Sequence, residues 1–136
     1  MTNTIYDITR ESDAILLVGS NPEEAHPVLG MQLRQAVQRG ARLIVVDPRD
    51  IDIAKKAEIH LKLKPGTNVA FANGMMHIFI EENLIDQKFI EERTENFEAM
   101  KEMVKDYTPE RVAEICNIDA DDLRRAARIY ATAERA

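Results

Sequence analysis

The chain is poor in the residues that most often announce a chemistry. It has one cysteine, Cys116, which rules out an internal disulfide framework and a cysteine-based metal cluster. A lone thiol is compatible with a reducing cytoplasm, the compartment expected here. The three histidines, His26, His60 and His77, lie far apart in the chain and show no metal-ligand spacing. No apolar run approaches the roughly 20 residues that a membrane-spanning helix needs. The opening Met1-Thr2-Asn3-Thr4 lacks the basic and apolar regions of a signal peptide. There is no internal repeat, no low-complexity stretch, and no G-x-G-x-x-G dinucleotide fingerprint. No basic stripe is available to neutralise a nucleic-acid backbone, so nucleic acid is not an expected partner.

What is present is ordinary in bulk and uneven in detail. The chain has 136 residues, 45% of them hydrophobic and 31% charged, enough for a single globular domain with a real core. The net charge of −6 sits wholly in the second part. Residues 1–80 hold nine acidic and nine basic side chains, whereas residues 81–136 hold fifteen and nine. A phosphate ligand would favour the neutral first part. The acidic second part reads as a solvated surface with i,i+4 pairing.

The apolar pattern predicts a β-α-β-α-β-α succession over residues 1–84. Residues 4–11 can form a short helix with Ile5 and Ile8 on one side. Ala14 to Val18 and Leu43 to Val46 are continuous apolar runs, the mark of strands buried on both faces. Between them Pro27 opens a helix whose stripe is Leu29, Leu33, Ala36 and Val37, and Gly40 ends it. Ile51 to Ala57 is a short helix. Ile59, Leu61 and Leu63 alternate with His60, Lys62 and Lys64, as in a strand near a sheet edge. Thr67 then caps a long helix with Val69, Ala72, Met76, Phe79 and Ile80 as its apolar stripe. Residues 85–136 form a helical extension: Asp86 caps one segment, Phe97, Met100 and Val104 mark another, and Thr108-Pro109 opens a third that Asn117 closes. Asp119 and Asp122 form a capping box before Leu123, Ala127, Tyr130 and Ala131. The fold class is α/β: half of a doubly wound, Rossmann-like three-layer fold with a short parallel sheet of about three strands, then a helical C-terminal part. So narrow a sheet suggests a piece of something larger. His77 is expected at the surface, and Met75, Met76 and Cys116 in packing roles.

Three polar loops follow the three apolar runs, at the strand ends where parallel sheets bind nucleotides. In the first, Gly19 lets backbone approach a ligand, and Ser20 and Asn21 supply donors suited to phosphate or ribose; the same residues also suit a plain βα turn. In the second, Asp47 can accept from ribose hydroxyls, and Arg49 can reach a phosphate or stack on a base; alternatively Asp47 merely starts a turn with Pro48. In the third, Pro65-Gly66-Thr67-Asn68, Thr67 serves the helix and Asn68 can present its amide to a base edge. None of the loops carries an obvious catalytic group.

Taken together, Gly19-Ser20-Asn21-Pro22-x-x-Ala25-His26-Pro27, Val45-Val46-Asp47-Pro48-Arg49, Leu63-x-Pro65-Gly66-Thr67-Asn68 and Asn73-Gly74-Met75-Met76-His77 resemble the molybdopterin oxidoreductases of the dimethyl-sulfoxide-reductase superfamily, and most closely formate dehydrogenase catalytic (alpha) subunits. Phe89-Ile90-Glu91-Glu92-Arg93-Thr94-Glu95-Asn96-Phe97 and Tyr107-Thr108-Pro109-Glu110 extend the resemblance over nearly the whole chain. The resemblance implies an internal domain of a longer subunit, binding one guanine-dinucleotide arm of bis-molybdopterin guanine dinucleotide with molybdenum or tungsten. It implies that Gly19, Ser20, Asn21 and Glu24 meet the pyrophosphate and ribose region. Asp47 would take a ribose with Arg49 and Ile51 lining the site, and Gly66, Thr67 and Asn68 would address the guanine. Many relatives have aspartate where Asn68 stands, and an amide offers fewer acceptors to guanine.

The family's metal-ligating cysteine or selenocysteine, its active-site histidine and arginine, and its iron–sulfur motif match nothing in this chain; Cys116 is none of them. The implied parent oxidises formate to carbon dioxide and passes electrons to iron–sulfur centres. Its partners would be the remaining domains of the subunit and an electron-transfer iron–sulfur subunit. The 136 residues alone would be inactive. Three alternatives remain: the same domain from another member such as a nitrate reductase, a related respiratory-complex subunit that kept the fold but lost the cofactor, and a non-catalytic nucleotide-binding or docking module that uses the acidic helical half as its surface.

Overall fold

The computed structural model describes residues 4–136; the opening Met1, Thr2 and Asn3, read above as lacking a leader signal, lie outside the described residues. The chain divides into two compact units, the described part of Met1–Lys62 together with Thr132–Ala136, and Leu63–Ala131. The division falls ahead of the long helix, which is therefore grouped with the helices that follow it.

The first unit is built on a parallel sheet of three strands, β1 (Ala14–Val18), β2 (Arg42–Val46) and β3 (Ile59–Leu61), in the order β1-β2-β3. Val18 is in register with Val46, and Val46 with Leu61, so the strands end level with one another. The central strand β2 is buried from Leu43 to Val46, as its apolar run predicts. Strand β3 lies at an edge, again as predicted. Strand β1 differs from expectation. Ala14 and Ile15 are buried, but Leu16 and Leu17 are only half-buried and Val18 is exposed. Exposure rises along the strand toward its carboxyl end, which a run that is apolar throughout does not reveal.

One sheet face carries Ile15, Leu43 and Val45 and packs with Leu33 and Ala36 of α2 (Pro27–Gln38), and with Ile53 and Ala54 of a 3₁₀ turn at Asp52–Lys56. Helix α2 has the predicted stripe, with Leu29 and Val37 partly buried against this core. It ends in a paired motif: Gly40 (φ +107°) donates to the Val37 carbonyl and Ala41 to that of Ala36. A one-turn helix, α1 (Pro22–Ala25), precedes it, an element too short for the apolar pattern to reveal. The two helices approach so closely that a Cβ on Gly30 would stand 2.9 Å from the Glu23 Cα. The predicted helix near the start of the chain is a short π-helical turn at Asp7–Glu11, tied to α2 by Arg39 donating to the Thr9 carbonyl. The chain's last residues return to this unit. The Asp13 carboxylate accepts the backbone N–H groups of Glu134 (3.0 Å) and Arg135 (2.8 Å), and the Arg135 carbonyl accepts from Asp13 N–H.

The second unit is helical: α3 (Asn68–Glu81), α4 (Gln87–Arg93), α5 (Phe97–Val104), α6 (Pro109–Cys116) and α7 (Ala120–Ala131). Most helix ends fall where the sequence puts them. Asp86 accepts from Phe89 N–H, Thr108 from Arg111 N–H, and Asn117 closes α6 in the left-handed region. Asp119 accepts from both Asp121 and Asp122 N–H, the forward half of the capping box, while the Asp122 carboxylate turns to Arg125 instead.

Helix α3 departs from the predicted stripe. Val69 and Ala72 are exposed, and the buried side carries Ala70, Phe71, Gly74, Met75 and Ile78, with the polar Asn73. A helix that is apolar almost all round gives no period from which to choose a face, and packing decides. Here the decisive contact is Gly74 against Val112 of α6, where a Cβ would meet both Val112 methyls, at 2.9 and 3.1 Å. His77 is half-buried rather than a surface filler, its Nδ1 lying 3.2 Å from the Val104 carbonyl at the end of α5. Cys116 is fully buried, as its packing role predicts.

Candidate functional site

The level strand ends place the first two loops side by side. Gly19 N–H donates to the Val46 carbonyl (2.8 Å), and Asp47 N–H to that of Leu61 (3.2 Å), continuing the ladder past the strands. Gly19 adopts φ +58°, a conformation glycine takes without steric cost, and the space where a Cβ would stand is open. Ser20 and Asn21 are half-buried, and Glu24 is exposed. The Asn21 Oδ1 atom is buried and accepts no hydrogen bond among the described residues, a condition folded proteins rarely tolerate.

A polar cleft of about 440 Å³ lies between these loops, lined by Asn21, Glu23, Glu24, Arg49, Asp50, Ile51 and Asp52. Ile51 contributes from the buried core. Three of the four carboxylates are already paired: Glu23 with Arg34, Asp50 with Lys62 and Asp52 with Lys55. Among the described residues Glu24 makes no ion pair. With Pro22 and two acidic residues in its first turn, α1 offers an anion little. The cleft is suited to hydrogen-bond donors, such as sugar hydroxyls or a base N–H edge, more than to a pyrophosphate.

Asp47 is 1% exposed and wholly engaged. Its Oδ1 accepts from Arg49 N–H and Nε–H, and its Oδ2 from Arg49 Nη2, each at 2.9 Å. The backbone bond two residues on makes this an Asx turn, the local alternative foreseen for this loop. These bonds hold the Asp47 carboxyl below its ordinary pKa, against the upward push of burial. Half-buried on β3, His60 donates through Nε2 to the Asp47 carbonyl (2.9 Å). Sequence reasoning did not place His60, Glu23, Asp50 or Asp52 at the site. The alternation of β3, which puts His60 on the opposite face from the buried Ile59 and Leu61, was the available signal for the first.

The third loop belongs to the second unit. Thr67 N–H donates to the Lys64 carbonyl around Pro65 and Gly66, with Gly66 at φ +87° as a type II turn requires. Thr67 stands at the start of α3 but does not cap it: its hydroxyl donates back to the Lys64 carbonyl at 2.6 Å. The bond completes the turn, and that local closure outcompetes the helix end. The loop is anchored by Lys64 N–H on the Cys116 carbonyl and by the Cys116 thiol, 3.6 Å from the Thr67 carbonyl. Asn68 is exposed at the first position of α3, and its amide makes no hydrogen bond among the described residues.

Known proteins align with this chain along its length. The family model described as "Molybdopterin oxidoreductase" matches residues 1–128. The F420-dependent formate dehydrogenase subunit alpha of Methanocaldococcus jannaschii is 48% identical over all 136 residues, which are 20% of that protein. Formate dehydrogenase H of Escherichia coli is 43% identical over the same span, 19% of its length. The solved structure of acetylene hydratase from Pelobacter acetylenicus superposes with a TM-score of 0.85 at 35% identity, covering 94% of this chain and 19% of that one. The chain thus spans about one fifth of the length of these relatives. With a family match that runs through both units, the chain belongs to the molybdopterin oxidoreductases.

Proposed function

We propose that this chain is the guanine-dinucleotide-arm binding domain of a molybdopterin-dependent formate dehydrogenase. The observation that supports the reading is the 48% and 43% identity to a formate dehydrogenase subunit alpha and to formate dehydrogenase H across the whole chain. The acetylene hydratase likeness supports the fold, and the family match supports the cofactor class. In the parent subunit the metal-bearing cofactor, with molybdenum or tungsten, would supply the redox chemistry, by which formate loses two electrons and a proton and becomes carbon dioxide. Iron–sulfur centres outside these residues would take the electrons.

The residues present fit a nucleotide arm. The orphaned Asn21 Oδ1 is an acceptor awaiting a donor, and Gly19 leaves open room where any other residue would carry a Cβ. We assign Gly19, Ser20, Asn21, Glu24, Asp47, Arg49 and Ile51 to the sugar and adjoining groups of the arm. Given the carboxylates of this cleft, the ribose is a better match for Asn21 and Glu24 than the pyrophosphate is. Gly66, Thr67 and Asn68 we assign to the guanine. This part of the subunit binds and orients the cofactor, and the 136 residues alone are inactive toward formate.

An amide NMR titration with GDP, using ADP as control, tests the reading. An isolated arm site can be weak, about 1 mM or −4 kcal/mol, so the titration extends to several millimolar. Selective GDP shifts at residues 19–24, 47–51 and 66–68 are expected. Equal responses to ADP would refute guanine selectivity, and no response would refute a nucleotide site held by this chain.

A further inference from the structure

The buried state of Asp47 carries an inference about how its loop meets the ligand. Asp47 does not line the cleft; Arg49 does. Both Asp47 carboxylate oxygens, its N–H and its carbonyl are spent on Arg49, Leu61 and His60. The Arg49 side chain is 59% exposed and uses only Nε and Nη2 on Asp47. A guanidinium carries donors on both its edges, so the Nη1 edge of Arg49 is not spent on that carboxylate.

We infer that Asp47 is a positioning residue, not a ribose ligand, and that it fixes the Arg49 guanidinium so that the Nη1 edge meets acceptor atoms of the nucleotide. The inference rests on the nucleotide reading above and revises one assignment within it. The geometry has a physical logic. A free arginine at a loop tip loses considerable rotamer entropy on binding, whereas a fork already held by a carboxylate has lost it in advance. The same pairing makes the Arg49–Asp47 unit neutral overall. Arg49 then offers direction more than net charge, which suits a cleft whose other carboxylates are mostly matched by cations.

The test is a GDP titration of the whole chain, wild type and variants, with the arginine side chains labelled for NMR. Asp47→Asn and Arg49→Lys are each expected to weaken GDP binding by about tenfold, as loss of a charge-assisted hydrogen bond does. The double variant should be no weaker than Arg49→Lys alone, because both changes break one unit. Removing the ribose hydroxyls, with 2′,3′-dideoxy-GDP, should cost wild type and Asp47→Asn the same factor. The Arg49 Nε–H resonance of the wild-type chain should persist at saturation. The assignment is overturned if Asp47→Asn abolishes the penalty for the missing hydroxyls, if the single losses multiply in the double variant, or if the Nε–H signal disappears as GDP binds. Should Asp47→Asn fail to fold, the Nε–H signal in the wild-type chain decides alone. A wild-type chain that binds no GDP refutes the nucleotide reading itself and this assignment with it, an outcome distinct from GDP binding in which Asp47 contacts the ribose.

Discussion

Replacing Gly74 by alanine sets two effects of opposite sign against each other. Alanine in mid-helix is favoured over glycine by about 0.5–1 kcal/mol on backbone entropy. Against this, the new Cβ would lie 2.9 and 3.1 Å from the two Val112 methyls and 3.3 Å from its Cβ. Carbon atoms pack best at about 3.5–4.0 Å, so Val112 must retreat by several tenths of an ångström. It cannot do so by rotating, since both methyls are engaged and a β-branched side chain is stiff at χ1. Val112 is fully buried, which leaves the backbone of α6 to move. Overpacking of this kind costs about 1–3 kcal/mol, so Gly74→Ala should be net destabilising by about 1–2 kcal/mol. Val112→Ala alone should cost a similar amount through lost burial and a cavity. In the double variant the methyl added at position 74 enters the space vacated by the Val112 side chain, and the two losses should fall short of additivity by about 1 kcal/mol or more. Urea unfolding followed by far-UV circular dichroism, at unchanged m, measures all four corners of the cycle. A Gly74→Ala midpoint at or above that of wild type would show that helix propensity wins, and an additive cycle would show that the contact is not made.

Three other perturbations bear on the loops and caps. Gly19→Ala should destabilise by about 1 kcal/mol through its left-handed backbone alone, because the Cβ meets nothing, and Gly19→Asn should cost less; a urea midpoint for Gly19→Ala equal to wild type would count against the φ assignment. Asp119→Ala should cost about 1 kcal/mol by orphaning two N–H groups at the start of α7, with Asp119→Asn near wild type, again by urea midpoint. The Asp47 carboxyl titrates below its ordinary value in the folded chain, so its stabilising contribution is complete above the usual carboxylate range and is lost as pH falls through the folded-state pKa. The urea midpoint should therefore drop on acidification below about pH 4, and less steeply in Asp47→Asn; parallel pH profiles would refute the pairing.

Local signals were legible wherever a short stretch of chain decides the outcome. Pro27, Gly40, Asp86, Thr108-Pro109 and Asn117 mark helix ends because each acts through its own backbone or a neighbour's. Strand β2 was legible because a fully buried strand must be apolar on both faces. The partial exposure of β1 was not, since a run that is apolar throughout does not say which of its residues lie uncovered. Nor was the buried side of α3, where close approach to Val112 outranks hydrophobicity. At the site, Asn21, Glu24, Arg49 and Ile51, four of the residues named from the sequence, line one cleft. The sequence did not show that Arg49 would close over Asp47, nor that the Thr67 hydroxyl would turn back to Lys64, because both are choices between competing hydrogen bonds made in three dimensions.

The return of the last residues to Asp13 has a kinetic consequence. The second unit is one uninterrupted stretch, so its helices can assemble from near neighbours in the chain. The first unit is completed only when the segment around Arg135 reaches Asp13 across that stretch, closing a loop of about 120 residues whose entropic cost must be met before the two carboxylate bonds form. Those bonds are therefore expected to form last in folding and to break first in unfolding. The amides of Glu134 and Arg135 should accordingly exchange with solvent well before those of β2, reporting an opening that leaves the sheet intact.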